Sequence, residues 1–244
     1  MLSVDALRTS FDGQANAIDC RLAPGQVLVV LGPNGAGKSW LMRTLAGLNP
    51  VMAGAVRWHE RSLADCTDSA RIRAFLSQEE ARVFPMTVFE QVLSARAPWL
   101  QWHQSHSVQD EQKARESLVK VDMLALADRM VDSLSGGEWQ RVRLAGLLAQ
   151  DTPLWLMDEP TEHLDPKHIW DTVPGLVRAH CRASGSVVLV GHDPDWAARL
   201  ADQVVFVSRD GWEVGTASAM LTEPKLSALY GHRFVDHDGR WVAG

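Results

Sequence analysis

The chain is short of the features that mark secreted, membrane-spanning or nucleic-acid-binding proteins. Its 244 residues include only three cysteines, Cys20, Cys66 and Cys181. They are scattered, odd in number and without C-x-x-C spacing, which argues against a disulfide framework or a zinc site and suits a reducing cytosol. No apolar stretch approaches the ~18 residues that a spanning helix needs. The first residues, Met1 to Ala6, lack a basic segment leading into a long apolar run, so no signal peptide is expected. Lys and Arg number 24 against 30 Asp and Glu, a net charge of −6, and no basic cluster forms a face. A nucleic-acid partner is therefore disfavoured. Internal repeats and low-complexity segments are absent too. With 46% hydrophobic and 22% charged residues, the length suits one large α/β core, or a main domain with a subdomain.

What is present is phosphate chemistry. Gly32-Pro33-Asn34-Gly35-Ala36-Gly37-Lys38-Ser39 fits the pattern G-x-x-x-x-G-K-[ST] in full. An apolar run, Val27 to Leu31, precedes it as a buried strand, and a helical pattern, Trp40 to Ala46, follows. In that setting the glycines let backbone N–H groups close around phosphate oxygens. Lys38 is expected to reach the β- and γ-phosphates and Ser39 to offer its hydroxyl to Mg²⁺. The helix start adds its positive dipole end. A hundred residues on, Leu134-Ser135-Gly136-Gly137-Glu138 contains a capping box, with Ser135 as N-cap and Glu138 three residues later. Its helix, Trp139 to Ala149, puts Val142, Leu144, Ala145, Leu147 and Leu148 on an apolar stripe. Two glycines directly after a cap weaken a helix. They make sense where the backbone lies close against something anionic.

Together these residues resemble the ATP-binding cassette ATPases, whose signature sequence is Leu-Ser-Gly-Gly. The other landmarks follow in the family's order. Leu154-Trp155-Leu156-Met157-Asp158-Glu159 resembles the second nucleotide motif, Gln78 the Q-loop glutamine, Glu162-His163-Leu164-Asp165 the D-loop and His192 the switch histidine. The likeness implies an α/β fold, a P-loop NTPase core with a mostly parallel sheet, antiparallel N-terminal strands and an inserted helical subdomain. Residues 1–78 and 152–244 would form the RecA-like core and 79–151 the helical subdomain of a single 1–244 ABC domain. It also implies ATP and Mg²⁺, with Ser39, Gln78 and Asp158 on the metal. Glu159 would be the base for in-line attack by water, helped by Lys38, Gln78 and His192. Ser135, Gly136 and Gly137 would complete the nucleotide site of a second copy in a head-to-tail homodimer, with Asp165 at that interface. Phe11 is placed to stack on adenine. Trp40 stands where many members carry Ser or Thr, and it is expected to fill a gap between helix and sheet.

The coarse pattern agrees. Val56–Trp58, Ile72–Leu76, Leu154–Met157, Val187–Val190 and Val204–Val207 read as strands, and Trp212–Val214 as the return of a hairpin through Arg209-Asp210-Gly211. Between Glu79 and Asp151 the pattern is mostly helical. Strands alternating with helices argue a parallel sheet covered on both faces. Pro85 to Leu100, Glu138 to Ala145 and Leu226 to Gly231 resemble the metal-chelate importers, cobalamin, iron–siderophore and haem systems among them. That likeness implies integral-membrane permease subunits, a substrate-binding protein and a peripheral place on the cytoplasmic face of the inner membrane. Aromatic residues Phe84, Phe89, Trp99 and Trp102 could face the membrane subunit. An ABC exporter subunit, a soluble ABC ATPase such as an iron–sulfur assembly component, and a phosphate-loop kinase remain alternatives.

Overall fold

The structure is a computed structural model that describes residues 1–9, 17–78, 85–208, 211–237 and 240–243. Phe11, Phe84, the first residues of the expected helical insertion and Arg209-Asp210 lie outside the described residues. The chain opens with strands β1 (Leu2–Thr9) and β2 (Ile18–Leu22), then β3 (Val27–Leu31), which runs through the glycine loop into α1 (Lys38–Leu45). Next come β4 (Val51–Trp58), the short β5 (Arg61–Ser62), one turn of helix α2 (Ser69–Ile72) and β6 (Arg73–Leu76). Helices α3 (Val88–Ser94), α4 (Val108–Lys120) and α5 (Gly136–Gln150) follow as a group. The chain then alternates through β7 (Leu154–Asp158), α6 (Val173–Arg182), β8 (Ser186–Val190), α7 (Pro194–Leu200), β9 (Gln203–Ser208) and β10 (Gly211–Thr216). It closes with α8 (Ala217–Met220), α9 (Glu223–Tyr230) and a hairpin of β11 (Phe234–His237) and β12 (Arg240–Ala243).

Six strands form the main sheet in the order β10-β9-β3-β8-β7-β6, parallel throughout except for the β9–β10 hairpin. Every residue of β3, β7 and β8 is buried. Their unbroken apolar runs fit strands covered on both faces. A separate antiparallel sheet, β2-β1-β4-β5, packs over one face through Leu2, Leu7, Leu22 and Trp58 against α1 and the sheet side chains Leu28 and Val30. The other face is covered by α5, α6 and α7 in one apolar cluster that also takes in α3 and α4.

Register brings the parallel strands to a common edge. Val30 of β3 and Asp158 of β7 both pair with Val190 of β8, and Met157 pairs with Leu76 of β6. The loops that leave this edge carry Gly32–Ser39, Gln78, Glu159 and His192, where ligands of open α/β sheets bind.

Two local expectations change. Ile72 ends the helical turn α2, so β6 starts one residue later, at Arg73. Helix α5 is buried more widely than its apolar stripe, with Gln140 and Arg143 both inside. Arg143 donates to Gln140 Oε1 (2.7 Å), to the Gln78 carbonyl (3.3 Å) and to the Ser77 carbonyl, while Gln140 Nε2 donates to the Pro160 carbonyl at 2.9 Å. Polar side chains at these positions tie α5 to the ends of β6 and β7. The helix group is pinned in a similar way: buried Arg96 bonds Asp110 Oδ1 (2.8 Å) and the Ala149 carbonyl (2.9 Å). Capping bonds from Ser107, aided by that guanidinium, hold the Asp110 carboxyl well below the usual carboxylate range.

Candidate active site

The glycine loop is shaped by conformations that only glycine adopts at low cost. Gly35 and Gly37 have φ of +76° and +97°, in the left-handed region. At Gly32 the constraint is space instead, because an added Cβ would sit 2.1 Å from the Val207 carbonyl oxygen. Lys38 begins α1 and turns back, its Nζ donating to the carbonyls of Gly32 (2.8 Å) and Pro33 (3.1 Å). Ala36 is buried beneath the loop, and its N–H donates to the same Pro33 carbonyl. Burial lowers the Lys38 pKa, and the carboxylates of Glu159 and Asp158 offset part of that.

A cleft of about 530 Å³ opens over this loop. Asn34, Gly35, Gly37, Lys38, Ser39 and Trp40 form one wall, and Gln78, Glu159 and His192 come in from the strand ends. Two further residues line it, Arg43 and Glu162. Arg43 lies one helical turn after Ser39, a spacing that places it on the same side of α1. Trp40 is half-buried and lines the cleft, with its indole Nε1 buried.

The two consecutive carboxylates have opposite surroundings. Asp158 ends β7 and is buried, its carboxylate bonded to the Ser39 hydroxyl. Burial raises its pKa, the Ser39 bond lowers it, and Glu159 raises it again. The buried Oδ1 of Asp158 has no protein partner among the described residues. An orphaned carboxylate oxygen beside a hydroxyl is the hard-donor pair that suits Mg²⁺, which keeps water and substrate phosphates as its other ligands. Glu159 has φ of +52°. This left-handed turn costs a non-glycine residue roughly 1–2 kcal/mol. It swings the side chain away from Asp158 and into the cleft. There Gln78 Nε2 donates to Oε2 at 3.1 Å, and His192 Nε2 lies 2.6 Å from Oε1. The carboxylate is thus held from both sides by two side chains far away in sequence.

Sequence and structure similarity decide the family. Residues 15–162 match the family described as ABC transporter. The chain belongs to the ABC transporter family. The hemin import ATP-binding protein HmuV of Streptomyces coelicolor is 37% identical over 236 residues, 94% of this chain and 83% of that protein. The achromobactin transport ATP-binding protein CbrD of Dickeya dadantii is 35% identical over 87% of this chain and 80% of its own length. Among solved structures, an inward-facing transporter of the metal-chelate type superposes with a TM-score of 0.83 at 26% identity, covering 98% of this chain and 94% of its own. This ABC chain therefore has the P-loop NTPase fold and is an ATPase.

The segment expected to complete the site in a second copy lies apart from this cleft. Ser135 caps α5: its hydroxyl accepts the Glu138 N–H, and the Glu138 carboxylate accepts the Ser135 N–H at 2.8 Å. Neither Ser135, Gly136 nor Gly137 lines the cleft. The need for glycine at 137 has a cause within the chain, since a Cβ there would lie 2.8 Å from the His163 carbonyl oxygen. At Gly136 an added Cβ would meet the His163 ring only at ordinary contact, 3.6 Å. Asp165, expected at a dimer interface, is largely exposed, and its Oδ1 accepts the His168 N–H at 3.1 Å. Among the described residues no helix is long and apolar enough to cross a membrane.

Proposed function

We propose that this ABC ATPase is the energising subunit of an importer for a metal chelate, with haem the foremost cargo and iron–siderophore or cobalamin of the same class. The observation that carries the catalytic part is the Glu159 carboxylate, held between Gln78 and His192 at the mouth of the phosphate-loop cleft. The names of the relatives, hemin and achromobactin transport proteins, support the cargo class. We further propose a head-to-tail homodimer on separate permease subunits, at the cytoplasmic face of the membrane, with a substrate-binding protein delivering cargo. Residues 79–151 would be the helical subdomain that meets the permease, and 1–78 with 152–244 the RecA-like core. The packing of α3, α4 and α5 on one another supports that division.

The chemistry follows from the residues in place. Lys38 exchanges its loop carbonyls for the β- and γ-phosphate oxygens, which are stronger acceptors. Backbone N–H groups of the loop and the start of α1 bind the remaining phosphate charge. Ser39 and Asp158 would hold Mg²⁺, with Gln78 reaching it from the β6 end, and the ion would neutralise charge between the β- and γ-phosphates. Glu159 accepts a hydrogen bond or the proton from the attacking water, and its two partners fix the plane of the carboxylate. His192, beside Oε1 of that carboxylate, can follow the γ-phosphate. Ser135 and the glycines after it would present donors to the nucleotide of the other copy.

Glu159→Gln tests the assignment. Isosteric replacement keeps the bond to Gln78 within reach but removes the charge. ATP binding, measured by fluorescent-analogue titration, should stay within a few fold while turnover drops by about 100-fold or more. Turnover near the wild-type rate would remove Glu159 as the base. Cargo is tested by substrate-stimulated ATPase of the purified complex: stimulation by hemin-loaded binding protein supports the proposed class, and stimulation only by an unrelated solute rejects it.

A further inference from the structure

The C-terminal segment has no part in the ATPase chemistry above, yet it grips the loop that carries His192. Helix α9 brings the hydroxyl of Tyr230 to the His192 carbonyl, to which it donates at 3.4 Å. The hairpin adds a second hold, the Trp241 N–H donating to Oδ1 of Asp195 in the first turn of α7. Elsewhere this short loop is fixed by the Gly191 N–H on the Val30 carbonyl (3.1 Å) and by Asp193 as N-cap of α7. His192 itself is 44% exposed. Packing does not immobilise its imidazole, so the aim of the ring depends on how the loop backbone is held.

Tyr230 is well placed for that task. Leu226 anchors α9 in the core, Ser227 Oγ accepts the Phe234 N–H at 2.9 Å, and the Phe234 ring lies 5.4 Å from the tyrosine ring. Gly231, at φ +72°, ends the helix directly after it. Burial pushes the phenol up to about 12, the Gly32 backbone pulls it back in part, and Asp193 adds to the rise. The hydroxyl therefore remains a donor across the working pH range, and the first glycine of the phosphate loop sits beside it.

We propose that Tyr230 is a positioning residue for ATP hydrolysis: by holding the His192 carbonyl it aims the imidazole at Glu159, and so links the C-terminal segment to the catalytic carboxylate. This rests on the assignment of His192 and Glu159 to catalysis. The hydroxyl meets both the His192 carbonyl and the Gly32 backbone, so Tyr230→Phe removes both contacts while keeping the ring, and the double variant with His192→Ala separates them. The full chain would be compared as wild type, Tyr230→Phe, His192→Ala and the double variant, by steady-state ATPase and thermal melting. Tyr230→Phe should lower kcat about fivefold, the scale of one neutral hydrogen bond, with KM for ATP and Tm unchanged. In the His192→Ala background the same change should add nothing, since both act on one group. The histidine imidazole resonance that disappears in His192→Ala should shift in Tyr230→Phe. Normal turnover in Tyr230→Phe beside a slow His192→Ala would overturn the role of Tyr230 alone, as would an equal loss from the tyrosine change in both backgrounds. Normal turnover in His192→Ala would overturn the His192 assignment, and the proposal with it.

Discussion

The phosphate loop and the signature segment are both glycine-rich helix starts, but their surroundings differ. Around the loop, side chains from β6, β7 and β8 converge, so Lys38, Gln78, Glu159 and His192 share one cleft within a single chain. Ser135 lies outside that cleft. Its hydroxyl and N–H are engaged with Glu138, and the glycines after it face the backbone and ring of His163. One helix start is thus built into the cleft, while the other lies outside it with Ser135 and Gly136 exposed. A nucleotide bound at the first would use only half of the donors the chain carries. In the proposed dimer another copy would bring the second set across, and that is the physical case for it.

The largest effect should come from breaking the assembled half. Lys38→Ala removes the charge that meets the β- and γ-phosphates, and ATP affinity by calorimetry should fall about 100-fold or more. Ser135→Arg should leave that affinity intact while turnover falls about 100-fold, on the scale of losing an electrostatic donor to the transition state. Equal loss of ATP affinity in both variants would erase the distinction between the two regions. Gly137→Ala sharpens it. Its methyl would press on the His163 carbonyl, so turnover should fall about tenfold with ATP affinity unchanged, a loss of roughly 1.4 kcal/mol in the barrier.

The smallest effect concerns stability. Asp158 is buried with its pKa raised, so its ionised form is disfavoured by folding. A raised carboxylate contributes stability below its ordinary pKa of 3.8, and that contribution is lost as pH rises through the folded value. Asp158→Asn should therefore melt about 3 °C higher than wild type near neutral pH without nucleotide, the shift expected from ~1 kcal/mol in a chain of this length. The gain should shrink as pH falls toward the carboxylate's ordinary range. A variant that melts lower at neutral pH would contradict the burial argument.

The phosphate loop, Asp158 and Glu159 were legible in the sequence because each follows a buried strand whose apolar run marks its own end, whereas Gln78 and His192 stood out only through the order of the family's landmarks. Leu31 leads to Gly32, Met157 to Asp158 and Glu159, Leu76 to Gln78 and Val190 to His192, and register makes those ends coincide. Contacts made by backbone atoms were not legible. The nearness of Gly137 to the His163 carbonyl, and of Gly32 to that of Val207, depends on how distant loops cross. The widened helical turn His168–Thr172 before α6 leaves no pattern that periodicity detects. Arg43 could have been found from its helical spacing after Ser39, whereas Glu162 enters the cleft only because the chain turns sharply at Glu159. The reach of Tyr230 to His192 spans 38 residues, and no local pattern announces it.

The most direct test of the account is the mass of the chain in solution with ATP, measured by size exclusion with light scattering. Two proteins would be compared, Glu159→Gln and Glu159→Gln with Ser135→Arg. The account predicts that both bind ATP, that the first becomes a dimer on binding, and that the second remains a monomer. Equal dimers from both proteins, or a monomer from both, would contradict a site completed by the signature segment of a second copy.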